Sequence, residues 1–181
     1  MAYPALKRMT VDEFLSWDDG TDRRYELVAG EIVAMAPPSG WHSAITANAI
    51  LAIGPQLKSP CRIFNEAGIR LANRDDTYYQ ADFVVACAPP PVARHVPAPT
   101  LIVEVLSPST ETHDRGRKVP DYCAIESVRE ILLVSSSARE IQLWRRAGTS
   151  WIVTSRTEGR IELESVGATL GFDAIYAGTD L

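Results

Sequence analysis

Thr100-Leu101-Ile102-Val103-Glu104-Val105-Leu106 is the stretch from which the rest of the chain is read. Its aliphatic and β-branched residues make up a strand buried on both faces. Glu104 stands in the middle of it. An ionised carboxylate in such surroundings costs several kcal/mol unless a partner compensates it. Asp82 poses the same problem, because Phe83-Val84-Val85-Ala86-Cys87 follows it as another buried-strand run. Two acids on core strands, separated by one long loop, predict a shared cation. The alternative for Glu104 is an ion pair with a core Arg or Lys.

Working outward, the 181 residues are read as one domain over 1–181. That length buries a core without staples. A hydrophobic fraction of 46% is ordinary for a globular protein. Cys61, Cys87 and Cys123 lack CxxC spacing, which argues against a zinc site or a disulfide framework and fits a reducing cytoplasm. Met1 to Arg8 carries no apolar leader, and no stretch approaches the length of a spanning helix. A net charge of −5 argues mildly against a sequence-independent nucleic-acid coat, but a local basic groove stays open.

Thr10 with Glu13 has the capping-box spacing and predicts a helix start. Tyr25–Val28 and Gly30–Met35 read as a hairpin turning at Ala29-Gly30. Ile45, Ala49, Ile53 and Leu57 recur at helical spacing, so an amphipathic helix runs from about His42 to Gly54-Pro55. Arg62–Leu71 reads as a strand bulged at Gly68. Tyr78–Cys87 is the Asp82 strand, and the five prolines between Ala88 and Pro99 mark a surface loop. After the Glu104 strand, Ser107-Pro108-Ser109-Thr110 caps a helix over about Asp114–Ile125, with Pro120 in its first turn or at a kink. Glu130–Ser135 is a further buried strand. Ile141–Trp144 and Trp151–Val153 pair as a hairpin across Ala147-Gly148, and Ile161–Leu170 is short and irregularly β. The order predicts an α/β (α+β) fold: a central mixed β-sheet flanked by helices, with a C-terminal β-hairpin.

Mg²⁺ takes oxygen ligands and keeps several waters, so two carboxylates from adjacent strands suffice to hold it. Along the Glu104 strand Ile102, Glu104 and Leu106 share a face, which lets Glu104 reach a cleft near the strand end. Lys118 follows in the basic stretch Thr112–Lys118. A cation there could fold back over the metal and offset charge developing on a phosphate. The plain alternative is a solvated basic helix face.

At this constellation the chain resembles a known family. Tyr25-Glu26-Leu27-Val28-Ala29-Gly30-Glu31, Pro37-Pro38 ahead of His42, Glu104-Val105-Leu106-Ser107-Pro108-Ser109-Thr110, and Asp114-Arg115-Gly116 with Lys118 and Tyr122 resemble the Uma2 family. By fold that family belongs to the PD-(D/E)XK, or restriction-endonuclease-like, superfamily. The resemblance covers about residues 10 to 170. It implies a restriction-endonuclease-like core with Asp82 as first acid, Glu104 as second acid and Lys118 as the catalytic lysine. Asp82 and Glu104 would then be the ligands of Mg²⁺ or Mn²⁺. Two departures stand out. Leu106 occupies the position two beyond Glu104 where the standard pattern has its lysine, and Ala81 replaces the usual proline before Asp82. Glu26 resembles an early acidic residue that could touch the metal through water, and His42 could hydrogen-bond a phosphate or a carboxylate. Both also read as a turn-edge acid and a helix-start histidine.

Other chemistries find less support. Ser107 to Thr110 lack a Gly-x-Ser-x-Gly elbow, and no phosphate-cradling glycine loop is present. The expectation is a metal-dependent endonuclease that hydrolyses nucleic-acid phosphodiesters, DNA first, and that assembles as a homodimer. The Trp144 and Trp151 hairpin is the candidate interface. A non-catalytic module that binds nucleic acid or protein is the alternative, and a small-molecule metal hydrolase is a third.

Overall fold

The computed structural model describes residues 8–88, 94–108 and 111–181. Met1–Lys7, where no leader is read, lie outside the described residues. So do residues 89–93 of the proline loop and the expected caps Ser109 and Thr110. The elements in chain order are α1 (Val11–Ser16), β1 (Tyr25–Val28), β2 (Glu31–Ala34), α2 (Gly40–Ile53), β3 (Arg62–Arg70), β4 (Tyr78–Ala86) and β5 (Leu101–Leu106). Then come α3 (Glu111–His113), a π turn (Asp114–Lys118), α4 (Val119–Cys123), β6 (Glu130–Ser135), β7 (Ile141–Ala147), β8 (Ser150–Arg156), β9 (Arg160–Leu163), β10 (Ala168–Gly171) and α5 (Phe172–Ile175).

The main sheet runs β2-β1-β4-β5-β6-β7-β8, with β3 on the other flank of β4. Only the β5–β6 pair is parallel among the described strands, so the sheet is mixed as expected. Helices and the separate β9–β10 hairpin cover its two faces. On one face Ile45, Ala49 and Ile53 of α2 pack on Phe83, Val103 and Val105, and Leu163, Leu170 and Phe172 join them. On the other, Val119 and Tyr122 pack on Ile102, Leu106 and Ile131. Thr10 closes the expected capping box with Glu13, leaving Val11 and Phe14 to anchor α1 on Leu27 and Tyr78.

Three local features differ from the sequence reading. The irregularity in β3 falls at Glu66, with φ 49°, and not at Gly68. The register resumes unchanged, Asn65 opposite Phe83 and Ala67 opposite Ala81. Yet Tyr79 and Ala81 join the same core as Val84 and Ala86, so the alternation shifts by one residue at Asp82. Gly68 has a different role: a Cβ there would sit 1.8 Å from the Tyr78 hydroxyl oxygen and 2.5 Å from the Arg94 carbonyl oxygen.

The helix expected over about Asp114–Ile125 runs instead from Glu111 to Cys123, as α3, the π turn and α4 in direct succession. Pro120 has no N–H to donate and its ring crowds the carbonyl four residues back. The wider turn ahead of it, closed by Val119 N–H on the Asp114 carbonyl, accommodates that ring. Finally, Cys61 and Cys87 form a disulfide, against the expectation from their spacing. The β3–β4 register pairs Arg62 with Ala86 and so brings the two cysteines opposite each other. A spacing rule along the chain does not register that adjacency.

Trp144 and Trp151 lie half-buried against the second core, with the Arg146 guanidinium 4.5 Å from the Trp151 ring centre. The exposed large apolar residues of that hairpin are Ile152 and Val153. No helix is long and apolar enough to cross a membrane among the described residues.

Candidate active site

The site forms where the sheet forks. Along the flank of β4 that faces away from β3, β1 pairs at Tyr78 and β5 pairs from Phe83 to Val85. Between those contacts the two neighbours diverge, and carboxylates take up the amide groups that a continuous ladder would have used. Gln80 N–H donates to Glu26 Oε1 at 2.8 Å, and Val105 N–H donates to Asp82 Oδ2 at 2.7 Å. Asp82 N–H points to Glu104 Oε2 at 3.4 Å, long for a hydrogen bond. The fork is therefore what lets polar side chains enter the sheet without orphaning its backbone.

Glu104 is 3% exposed. Its Oε1 accepts the Tyr122 hydroxyl at 2.6 Å and lies 3.4 Å from Lys118 Nζ. Lys118 is 5% exposed and also meets Glu26 Oε1 at 2.9 Å and Asp114 Oδ1 at 3.3 Å. The ion pair weighed as an alternative for Glu104 thus exists, but one ammonium faces three carboxylates. The imbalance registers in the acid–base behaviour. Burial, then the charges of Asp82 and Asp114, push the Glu104 carboxyl up to about 8, against the pull of Lys118 and Tyr122. Lys118 is raised above its ordinary range: burial opposes its charge, but Glu104, Glu26 and Asp114 outweigh it.

Asp82 sits at the other side of the same cavity, 3.3 Å from His42 Nε2 on the first turn of α2. The Ser39 hydroxyl caps α2 by accepting the His42 N–H, which sets the start of the helix beside the fork. Burial works against a charged His42, but the hydrogen bond and charge of Asp82, with a bond to the Val105 backbone, raise its pKa overall. Asp82, Glu104, Lys118, Glu26 and His42 all line one cavity of about 810 Å³. The five residues expected at the site are therefore brought together.

The family model of Uma2, described as "Putative restriction endonuclease", matches residues 11–173. The chain belongs to the Uma2 family. The uncharacterized protein slr1290 of Synechocystis sp. is 32% identical over 177 residues, covering 94% of this chain and 93% of its own length. A second uncharacterized Synechocystis protein, sll1609, is 24% identical over 170 residues, covering 91% and 96%. The crystal structure of "a putative nuclease belonging to DUF820" from Anabaena variabilis has the same fold, with a TM-score of 0.75 at 20% identity over 93% of this chain and 98% of that one.

This Uma2 site also contains residues to which sequence reading gave no part in it. Asp114 and Tyr122 appear in the sequence only as elements of a motif. Their spacing from Lys118, four residues on either side, is the signal that one helical face carries all three. His113 lines the cavity 3.8 Å from Glu26 Oε2 and had no such signal. Lys118 folds back to Glu104 and is buried among carboxylates, so it does not belong to a solvated basic helix face.

Proposed function

We propose that this chain is a divalent-metal-dependent nuclease acting on phosphodiester bonds of nucleic acid, with DNA as the expected substrate. One observation carries the reading: Glu26, Asp82, Glu104 and Asp114 share a cavity with Lys118, so acid outnumbers ammonium at a buried place. A second cation would relieve that excess. The donor set fits a hard ion, because Mg²⁺ is commonly held by one or two carboxylates, with water and substrate oxygens completing its shell. Among the described residues no group of three His, Cys, Asp or Glu side chains forms a ready-made cage. Asp82 and Glu104 are the residues that would hold Mg²⁺ or Mn²⁺. When bound, the ion would supply a polarised phosphoryl oxygen and an acidified water.

The chain's own residues do the rest. Tyr122 fixes the Glu104 carboxylate, and Lys118 favours its ionised form. Val105 N–H and His42 orient Asp82. In the net reaction a water oxygen bonds to phosphorus, the bond from phosphorus to the leaving sugar oxygen breaks, and a proton from that water passes through solvent to the leaving oxygen. The test is cleavage of plasmid and single-stranded DNA in Mg²⁺, Mn²⁺ or EDTA. Cleavage should need the ion and fall about 100-fold or more in Asp82→Asn and in Glu104→Gln. Equal cutting by wild type and Glu104→Gln would trace the activity to a contaminant.

A second reading, a non-catalytic binding module, is favoured by the burial of Lys118, whose ammonium is already paired with three acids. DNA binding that needs no metal and weakens steeply with salt would support it.

A further inference from the structure

We infer that the cavity takes an unpaired nucleotide, so that the substrate is single-stranded nucleic acid and not a duplex. This deepens the proposed hydrolase reading and rests on it for the place of the phosphate. The cavity of about 810 Å³ has one acidic end, at Asp82 and Glu104, and an apolar wall formed by Val33, Met35, Pro37, Ala47 and Ile50. Its size is that of a single small ligand.

The charges around it do not suit a duplex. Beside His42 and His113, only two Lys or Arg side chains, Arg24 and Lys118, line the cavity among the described residues. Both are already paired, Arg24 with Glu66 and Lys118 with its three acids. Glu66 adds to the four acidic side chains already named, so acidic residues outnumber Lys and Arg in the lining. Helix α2, which forms part of the wall, carries no Asp, Glu, Lys or Arg from Gly40 to Ile53. A duplex reader neutralises many phosphates with Lys and Arg along two backbones. Here one phosphate can approach, and it must do so where a divalent ion offsets the acids.

The wall then meets whatever adjoins that phosphate. A stacked, paired base offers only its edges to a protein. An unpaired base offers its flat faces, which apolar side chains can cover. Val33 on β2, 42% exposed, and Ala47 on α2, also exposed, leave such a surface uncovered in this chain. Met35, half-buried after β2, lines the cavity beside them.

The experiment is fluorescence anisotropy of the full chain in Ca²⁺, with a short fluorescein-labelled single strand and the same sequence folded as a hairpin duplex. The single strand should bind on the order of tenfold more tightly. In Met35→Ser/Ala47→Ser, whose changes lie at the cavity surface, that ratio should shrink to about threefold or less. Thermal melting of the variant checks that it folds. Duplex binding as tight as single-strand binding, no binding of either probe, or an unchanged ratio in a folded double variant would overturn the inference. The readout separates the two ideas. A strong preference for single strand without any cutting leaves this inference standing and removes the hydrolase. Equal rates of cutting on duplex and single strand keep the hydrolase and remove this inference.

Discussion

Lys118 is the residue on which the charge balance of the site turns, because Glu26, Glu104 and Asp114 all meet its ammonium. Lys118→Met keeps the bulk and removes the charge, leaving those carboxylates buried together. The loss should be about 3–5 kcal/mol of stability, measured by urea unfolding; a loss near zero would mean the acids are protonated or paired elsewhere. His42 gives a local reading of Asp82. In an NMR titration its pKa should lie above the ordinary 6.5, because the Asp82 bond and charge outweigh burial. In Asp82→Asn it should fall, and an unchanged value would place the source of the shift elsewhere. Legibility at this scale was uneven. Asp82 and Glu104 betrayed themselves as charges inside apolar runs. Tyr122 did not, since a buried tyrosine in a helix reads as core until its hydroxyl is seen on Glu104 at 2.6 Å.

At the scale of elements, the fork between β1 and β5 and the π turn ahead of Pro120 do most to shape the site. The π turn brings Asp114 and Lys118 onto the Glu104 face and sets Tyr122 behind them. Removing its extra residue by deleting Gly116 would turn Glu111–Arg115 about the helix axis relative to Lys118 and so alter how Asp114 meets the site. The proposed metal-dependent cleavage should then fall with Glu104 left in place, and full cleavage in the deletion would show that the turn is incidental. Strand β3 offers a test of packing. In Gly68→Ala the new methyl would meet the Tyr78 hydroxyl and the Arg94 carbonyl at distances real Cβ atoms do not tolerate. Destabilisation of about 1–3 kcal/mol is expected by chemical denaturation. The sequence pointed to a bulge at this glycine, but the backbone irregularity lies at Glu66. A glycine signals that a side chain would be in the way, and it does not say whether the obstacle is its own backbone or a neighbour.

For the whole molecule the consequence of the site is a pH-dependent stability. The Glu104 carboxyl is raised from 4.5 to about 8, so between those values the folded chain holds a proton that the unfolded chain has released. Its contribution therefore falls as pH rises through that window. Lys118 has the same sign in a different window: raised above 10.5, it contributes fully below that pH and loses its effect only above it, so it leaves the range from 4.5 to 8 flat. In EDTA, the urea midpoint of wild type should decline from pH 5 to 8 more steeply than that of Glu104→Gln; parallel curves would remove Glu104 as the cause. Mn²⁺ added at pH 8 should raise the melting temperature of wild type and not of Asp82→Asn, since an ion that binds only the folded state stabilises it by mass action.

By itself the amino-acid sequence determined the order of elements, the mixed sheet with flanking helices, and the residues that do not belong in a core. Those follow from periodicity and from the cost of burying charge, both of which act over a few neighbouring residues. Only the tertiary structure decided that one ammonium is shared by three acids, that Asp82 answers to His42, and that Cys61 lies against Cys87. Each of these depends on which strands become neighbours and in what register, and an unfolded chain carries no record of that distance.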